Sequence, residues 1–321
     1  MYDRTGAAAA DRCYHLNIHR HHPATDFPAL RYGIVGFILL IFSMQSLAGI
    51  SLPQADGSRL VLHATAERLV TLSPHLAELV FAAGAGKNLV ATVEYSEYPA
   101  AAASVPRIGD AFRIDVERVL ALSPDLVIAW DSGNPHQAIN QIVSLGIPVW
   151  SVEIREPGAI AEVIKAIGDA SGRAQTAGTA AANFQRRLNQ LSRRYTSRQT
   201  LNYFYQIDEK PLYTINGKHL ISKGLSLCGG HNIFHDLPGL AFQVSHESVI
   251  VANPVAMFAP AQDNEPNPLA IWLDWPGMQA VSENALFTLP ADKISQATPR
   301  LLDALEIACS ALDSLREEVN R

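Results

Sequence analysis

The sequence predicts an α/β protein made of two similar lobes joined by one long helix, and three observations carry that prediction. Strand-length apolar runs alternate with helix-period segments over residues 66–152 and again after residue 202, the pattern of a largely parallel sheet with helices on its faces. A helix–proline–strand unit occurs twice. Glu117-Arg-Val-Leu-Ala-Leu-Ser-Pro-Asp-Leu-Val-Ile-Ala-Trp aligns without gaps on Glu247-Ser-Val-Ile-Val-Ala-Asn-Pro-Val-Ala-Met-Phe-Ala-Pro, pairing Glu117 with Glu247, Pro124 with Pro254 and Trp130 with Pro260. Between the copies, strand signals disappear over residues 157–196. A long amphipathic helix ends that stretch, with Ala177, Ala181, Phe184, Leu188, Leu191 and Tyr195 spaced alternately four and three apart.

In chain order, residues 69–72 read as the first strand, closed by Ser73-Pro74, and residues 75–83 as a helix that stops at Gly84 and Gly86. A second strand, 88–93, opens into the loop Glu94-Tyr-Ser-Glu-Tyr-Pro, and residues 106–113 read as a further loop. Val116, Val119, Leu120 and Leu122 fall at helical spacing until Pro124, which lacks an N–H and biases Ser123 toward extended backbone. The apolar run 126–129 suits a strand covered on both faces. Trp130 ends it ahead of the turn chemistry of Asp131-Ser-Gly-Asn-Pro, and ligands collect beyond such strand ends in α/β sheets. Residues 137–145 and 148–152 give the next helix and strand. The connecting helix would be roughly 30–35 Å long, with Arg186, Arg187, Arg193 and Arg194 on a solvated face. Residues 202–207 restart the sheet, 213–216 form a short strand, 221–227 a helix before the Cys228-Gly-Gly turn, and 299–315 a terminal helix.

The formal net charge is −6 and no block of Lys and Arg appears, which argues against a nucleic-acid partner. The apolar run 32–50 follows Arg31 and carries small residues at Ser46 and Ala48, which place signal-peptidase cleavage after Ala48. Residues 1–48 are thus an export signal with an extended n-region holding His15, His19, His21 and His22; a retained membrane anchor is the alternative. Cleavage removes Cys13. In an exported chain the remaining Cys228 and Cys309 form a disulfide by default, with two buried thiols as the alternative. The organisation is then 1–48 signal, 60–172 first lobe, 173–197 connecting helix and 198–321 second lobe. No G-x-S-x-G, H-E-x-x-H or phosphate-cradling loop occurs, so no catalytic residue is assigned. His75, His136, His219, His231, His235 and His246 lack tight ligand spacing, so no metal site is assigned either.

Four stretches, TLSPHLAELVFAAGAGKNLVATVEYSEYP, RIGDAFRIDVERVLALSPDLVIAW, INGKHLISKGLSLCGGHNIF and ATPRLLDALEIACSAL, resemble the periplasmic cobalamin-binding proteins of vitamin-import ABC transporters. The likeness covers nearly all of residues 66–316, and the wider group also binds siderophores and haem. It implies two Rossmann-like lobes on one helix (the class III binding-protein architecture), a ligand clamped between them with little hinge motion, and a periplasmic monomer. It implies no cofactor; cobalamin or a related corrinoid is the transported ligand. By the resemblance, Tyr95 and Trp130 match aromatic corrin contacts, Tyr205 and Tyr213 fall near contacts from the second lobe, and Asp292 matches an acidic contact to corrin amides. The sequence departs from an enterobacterial relative at Ala111, a Trp there, with Phe112 adjacent as a substitute. Gln296 stands where that relative has Arg, and Phe242 or Ala241 where it has another Trp. Glu117 and Glu247 match the acidic residues, one per lobe, that dock on the transporter's two membrane subunits. A haem or ferric-siderophore receptor is the alternative within the group, and an exported α/β hydrolase the alternative of another class.

Overall fold

The computed structural model describes residues 49–319 apart from Asn264; the export-signal reading falls outside them. The described chain opens with a hairpin, β1 (Ile50–Pro53) and β2 (Arg59–Leu62), where the sequence reading placed the first strand at residues 69–72. An Asp56-Gly57 turn closes it, with Gly57 at φ +85° and Asp56 Oδ1 accepting the Ser58 N–H. Ile50, the last residue of the apolar run, is therefore a strand residue. Trp150 Nε1 pins the hairpin to the first lobe by donating to the Pro53 carbonyl at 2.7 Å.

The first lobe comprises β3 (Leu69–Thr71), α1 (Pro74–Ala82), β4 (Leu89–Ala91), β5 (Gly109–Asp110), β6 (Arg113–Ile114), α2 (Val116–Ala121), β7 (Leu126–Trp130), α3 (His136–Ser144), β8 (Val149–Val152) and α4 (Ala159–Ala170). Its main sheet has the order β4-β3-β7-β8 and is parallel throughout. The strands are apolar without alternation because both faces are covered. Leu126 and Ile128 of β7 pack in one core layer with α1 and α4, and Val127 and Ala129 in the other with Val119 and Ile142 of α2 and α3.

α5 (Ala174–Tyr195) buries Ala177, Ala181, Phe184, Leu188, Leu191 and Tyr195, the stripe read from the sequence. It packs closely on α4: a Cβ on Gly168 would lie 2.2 Å from that of Ala177. Its Arg face is not simply solvated, because Arg187 binds Asp303 at 2.8 Å and Glu306 at 3.0 Å. Both acids belong to the terminal helix of the second lobe.

That lobe comprises β9 (Leu201–Glu209), β10 (Leu212–Ile215), α6 (Leu220–Ser226), β11 (Gly230–Asn232), β12 (Ala241–Gln243), α7 (His246–Ala252), β13 (Ala256–Ala261), α8 (Gln279–Ser282), β14 (Leu286–Pro290), α9 (Ala291–Ile294) and α10 (Leu301–Val319). Its sheet runs β12-β10-β9-β13-β14, with β11 beside β9. Here the largely parallel sheet carries antiparallel neighbours: β10 is antiparallel to both β9 and β12. The short link from Glu209 to Leu212 permits a hairpin and no crossover. Cys228 and Cys309 form a disulfide, tying α10 to the turn after α6.

The repeat extends to backbone detail. Ser123 and Asn253, each just before the matched proline, have φ of +46° and +42°; the extended geometry expected at Ser123 gives way to a left-handed helix end. Val127 pairs with Val149, and its counterpart Met257 with Leu286. The strands flanking the repeat are therefore equivalent too. Two Rossmann-like lobes on a single long helix result.

Candidate functional site

β7 delivers Trp130 to the space between the lobes. Its ring lies on Gly133, where an added Cβ would fall 2.0 Å from Cε3. The His75 ring meets it edge-on at 5.5 Å between centroids. Asn134, buried in the turn beyond, accepts the Trp130 N–H at 2.6 Å and donates to the carbonyls of Leu72 at 2.8 Å and Ala111 at 2.9 Å. One amide thus fastens the ends of β3 and β7 and the tip of the β5–β6 hairpin.

A trough runs between the lobes. One cavity, of about 290 Å³, is lined by Pro74, His75, Trp130, Ser132 and Glu153 from the first lobe and by Lys218, His219, Leu240, Ala241 and Gln296 from the second. A second of about 290 Å³ shares Pro74 and Gln296 with it and adds Glu78, Tyr95, Tyr98, Asp292 and Arg300. Tyr95 is 80% exposed and holds φ +65°, a strained conformation for a bulky residue. His75 Nδ1 lies 3.0 Å from Ser73 Oγ, and burial lowers the imidazole pKa to about 4. His219 is also lowered to about 4, first by burial and then by Arg155. Both rings are neutral near pH 7.

The anticipated contacts divide. Tyr95, Trp130 and Asp292 line the trough. Asp292 is already paired, accepting from Arg300 at 2.5 Å. Phe112 sits 68% exposed on the β5–β6 hairpin, which replaces the loop read there, and does not line either cavity. Tyr205 is a core residue at 1% exposure; its ring is consumed by packing and presents nothing to a ligand. Alternation along β12 sends Phe242 against Phe234 and puts Ala241 on the cavity. Tyr213, paired with Gln243, lies on the same side of that ladder further out.

Glu78, His219 and Asn134 were missed as site residues. Glu78 had a signal, a carboxylate inside the buried run Leu76–Val80 of α1; a buried charge there requires a partner. Arg300 is that partner.

Glu117 and Glu247 occupy the same position, second residue of a capped helix. Asp115 accepts the Arg118 N–H at 2.9 Å and Ser245 the Ser248 N–H at 3.2 Å. Both glutamates are exposed. The Glu247 pKa lies below the usual range because its own backbone N–H and the Ser245 side chain favour the anion.

Ser73, which could pose with His75 as nucleophile and base, is wholly buried, so its hydroxyl cannot meet a substrate carbonyl. Two helix-linked lobes with an aromatic and polar trough between them define the architecture of a solute-binding protein. The chain belongs to the periplasmic binding protein family, whose model matches residues 69–293. It is 38% identical over 248 residues to the vitamin B12-binding protein of Vibrio cholerae, 77% of this chain and 89% of that one. To the vitamin B12-binding protein of Yersinia pestis it is 36% identical over 251 residues, 78% and 88% of the two chains. The crystal structure of the periplasmic vitamin B12 binding protein of V. cholerae superposes with a TM-score of 0.74 at 37% identity, covering 78% of this chain and 98% of that one. A periplasmic haem-binding protein from Roseiflexus shares the fold at TM-score 0.65 and 22% identity, over 78% and 99% of the two chains.

Proposed function

We propose that the protein captures cobalamin or a related corrinoid in the trough and delivers it to the membrane-subunit dimer of an ABC transporter. The observation that carries this reading is the 38% identity to a vitamin B12-binding protein across both lobes. The chemistry agrees. Corrin presents broad apolar faces and a rim of amides; Trp130 and Tyr95 supply aromatic area, and the polar lining supplies partners for amides. Residues 1–48 act as the export signal, and 60–172 and 198–321 as the two lobes. Glu117 and Glu247, equivalent by the internal repeat, meet basic residues on the two transporter subunits.

Calorimetric titration of the purified protein with cyanocobalamin, and with haemin in parallel, tests the reading. A single tight site for cyanocobalamin and none for haemin is expected; no heat with cyanocobalamin sinks it. Haem is the second reading, favoured by the exposed Tyr95 phenol and the neutral His75 imidazole, either of which is a type of axial ligand. A Soret band shifted on mixing with the protein would establish it instead.

A further inference from the structure

His219 lines the trough opposite the Trp130 wall, yet its sequence position just before α6 marks it only as a helix start. Its Nδ1 accepts the Ile221 N–H at 3.2 Å, capping α6. A ring nitrogen that accepts carries no proton, so a neutral imidazole must hold its one proton on Nε2, the far edge of the ring. The ring is neutral because burial and then Arg155 oppose the cation. Glu153, Arg155, Lys218 and His75 are the other titratable groups of this cavity. No described residue is hydrogen-bonded to Nε2. The helix cap thus presents a neutral N–H donor of defined tautomer to the ligand space.

We propose that His219 is a ligand-binding residue that donates its Nε2–H to a neutral carbonyl oxygen, of the primary-amide type, on the rim of the bound molecule. The inference rests on the cobalamin reading and deepens it. An uncharged N–H matches a neutral amide carbonyl, the donor and acceptor meeting without a charge on either. The residue also places a polar contact from the second lobe across from Trp130 of the first, so the ligand is held from both sides.

Two substitutions separate the cap from the contact. In His219→Asn, Oδ1 stands where Nδ1 was and keeps the cap, but the donor is lost. In His219→Gln, the amide nitrogen stands near Nε2 and keeps the donor, but the cap is lost. With cyanocobalamin as probe, His219→Asn should weaken binding about tenfold with Tm unchanged. His219→Gln should lower Tm and bind within about twofold of wild type. The reverse pattern, or Asn binding as tightly as wild type, overturns the proposal and leaves His219 a helix cap. Wild-type protein in the same titration distinguishes the two levels: if it binds no cyanocobalamin, the parent reading falls and this one with it.

Discussion

Arg300 of the second lobe holds Glu78 of the first by three hydrogen bonds of 2.8–3.1 Å. The carboxylate projects from a helix face that is otherwise apolar, and its side chain is 6% exposed. The guanidinium lies 3.9 Å over the Tyr98 ring and also binds Asp292. Desolvation is the largest single influence and would lower its pKa, but the bonds and charges of Glu78 and then Asp292 together raise it. An ion pair between the lobes therefore bridges one end of the trough. A second crossing, Lys223 to Glu156 at 3.2 Å, is more exposed and contributes little.

Removing one partner of the buried pair should cost more than removing both. Arg300→Met strands the Glu78 carboxylate and should destabilise by about 3–5 kcal/mol, whereas Glu78→Leu/Arg300→Met should recover most of that loss. Urea denaturation of the single and double variants measures it. Equal losses in both would show that the pair is not coupled.

Trp130→Ala should weaken cyanocobalamin binding at least tenfold, about 1.4 kcal/mol, because the ring is an aromatic wall of the trough at the end of β7. Tyr95→Ala should weaken binding without lowering Tm, since the residue is 80% exposed and its φ of +65° is unfavourable for any side chain. Calorimetry and thermal melts on the two variants check both statements; unchanged affinity for Trp130→Ala removes it from the site.

The lobes, the bridging helix and the internal repeat could be read from residues 66–316 because each rests on short-range signals: apolar period, proline stops and a gapless match. Of the site, a strand end singled out Trp130 and the family resemblance added Tyr95 and Asp292, all of which line the trough, while the repeat marked Glu117 and Glu247 as an equivalent pair. Tyr205 was misleading because an aromatic on a central strand looks the same whether it faces the core or the cleft, and the choice is made by the sheet's twist and its neighbours. Phe242 and Ala241 differ by one position, and the register of β12 against β10 decides between them. The Glu78–Arg300 pair spans 222 residues, a separation at which no local pattern carries information. The β1–β2 hairpin was hidden because Ile50 continues the apolar run of the preceding segment.

Thermal stability should fall as pH drops from about 6.5 toward about 4, before the carboxylates dominate. His75 and His219 have folded pKa values near 4 against an ordinary 6.5. Between those values the unfolded chain binds protons that the folded chain refuses, so stability rises with pH across that window and is fully regained above it. His75→Gln should flatten part of the slope in a series of melts; an identical slope would mean that His75 accepts a proton freely in the folded state.

Reduction of Cys228–Cys309 should lower stability by about 4 kcal/mol, given a sequence separation of 81 between the cysteines. The loss should appear equally in Cys228→Ala/Cys309→Ala, with ligand affinity retained, because the bond joins α10 to the turn after α6 and lies outside the trough. Denaturant melts with and without reductant measure it; coincident curves would show that the cross-link restrains nothing in the unfolded chain.

Glu117 and Glu247 should matter for delivery and not for capture. Each stands in the first turn of a capped helix, where the helix dipole favours an anion, and neither lines the trough. Replacing either by Lys puts a cation against the basic partner expected there and against the dipole. Glu117→Lys and Glu247→Lys should each abolish stimulation of the reconstituted transporter's ATPase while leaving cyanocobalamin affinity within about twofold. The repeat makes the two positions equivalent, so their effects should be of similar size, and Glu117→Gln and Glu247→Gln should be milder because they remove attraction without adding repulsion. Loss of ligand binding in either Lys variant would place the residue in the fold's support and not on a docking surface. Full stimulation by both would mean that the transporter recognises some other face.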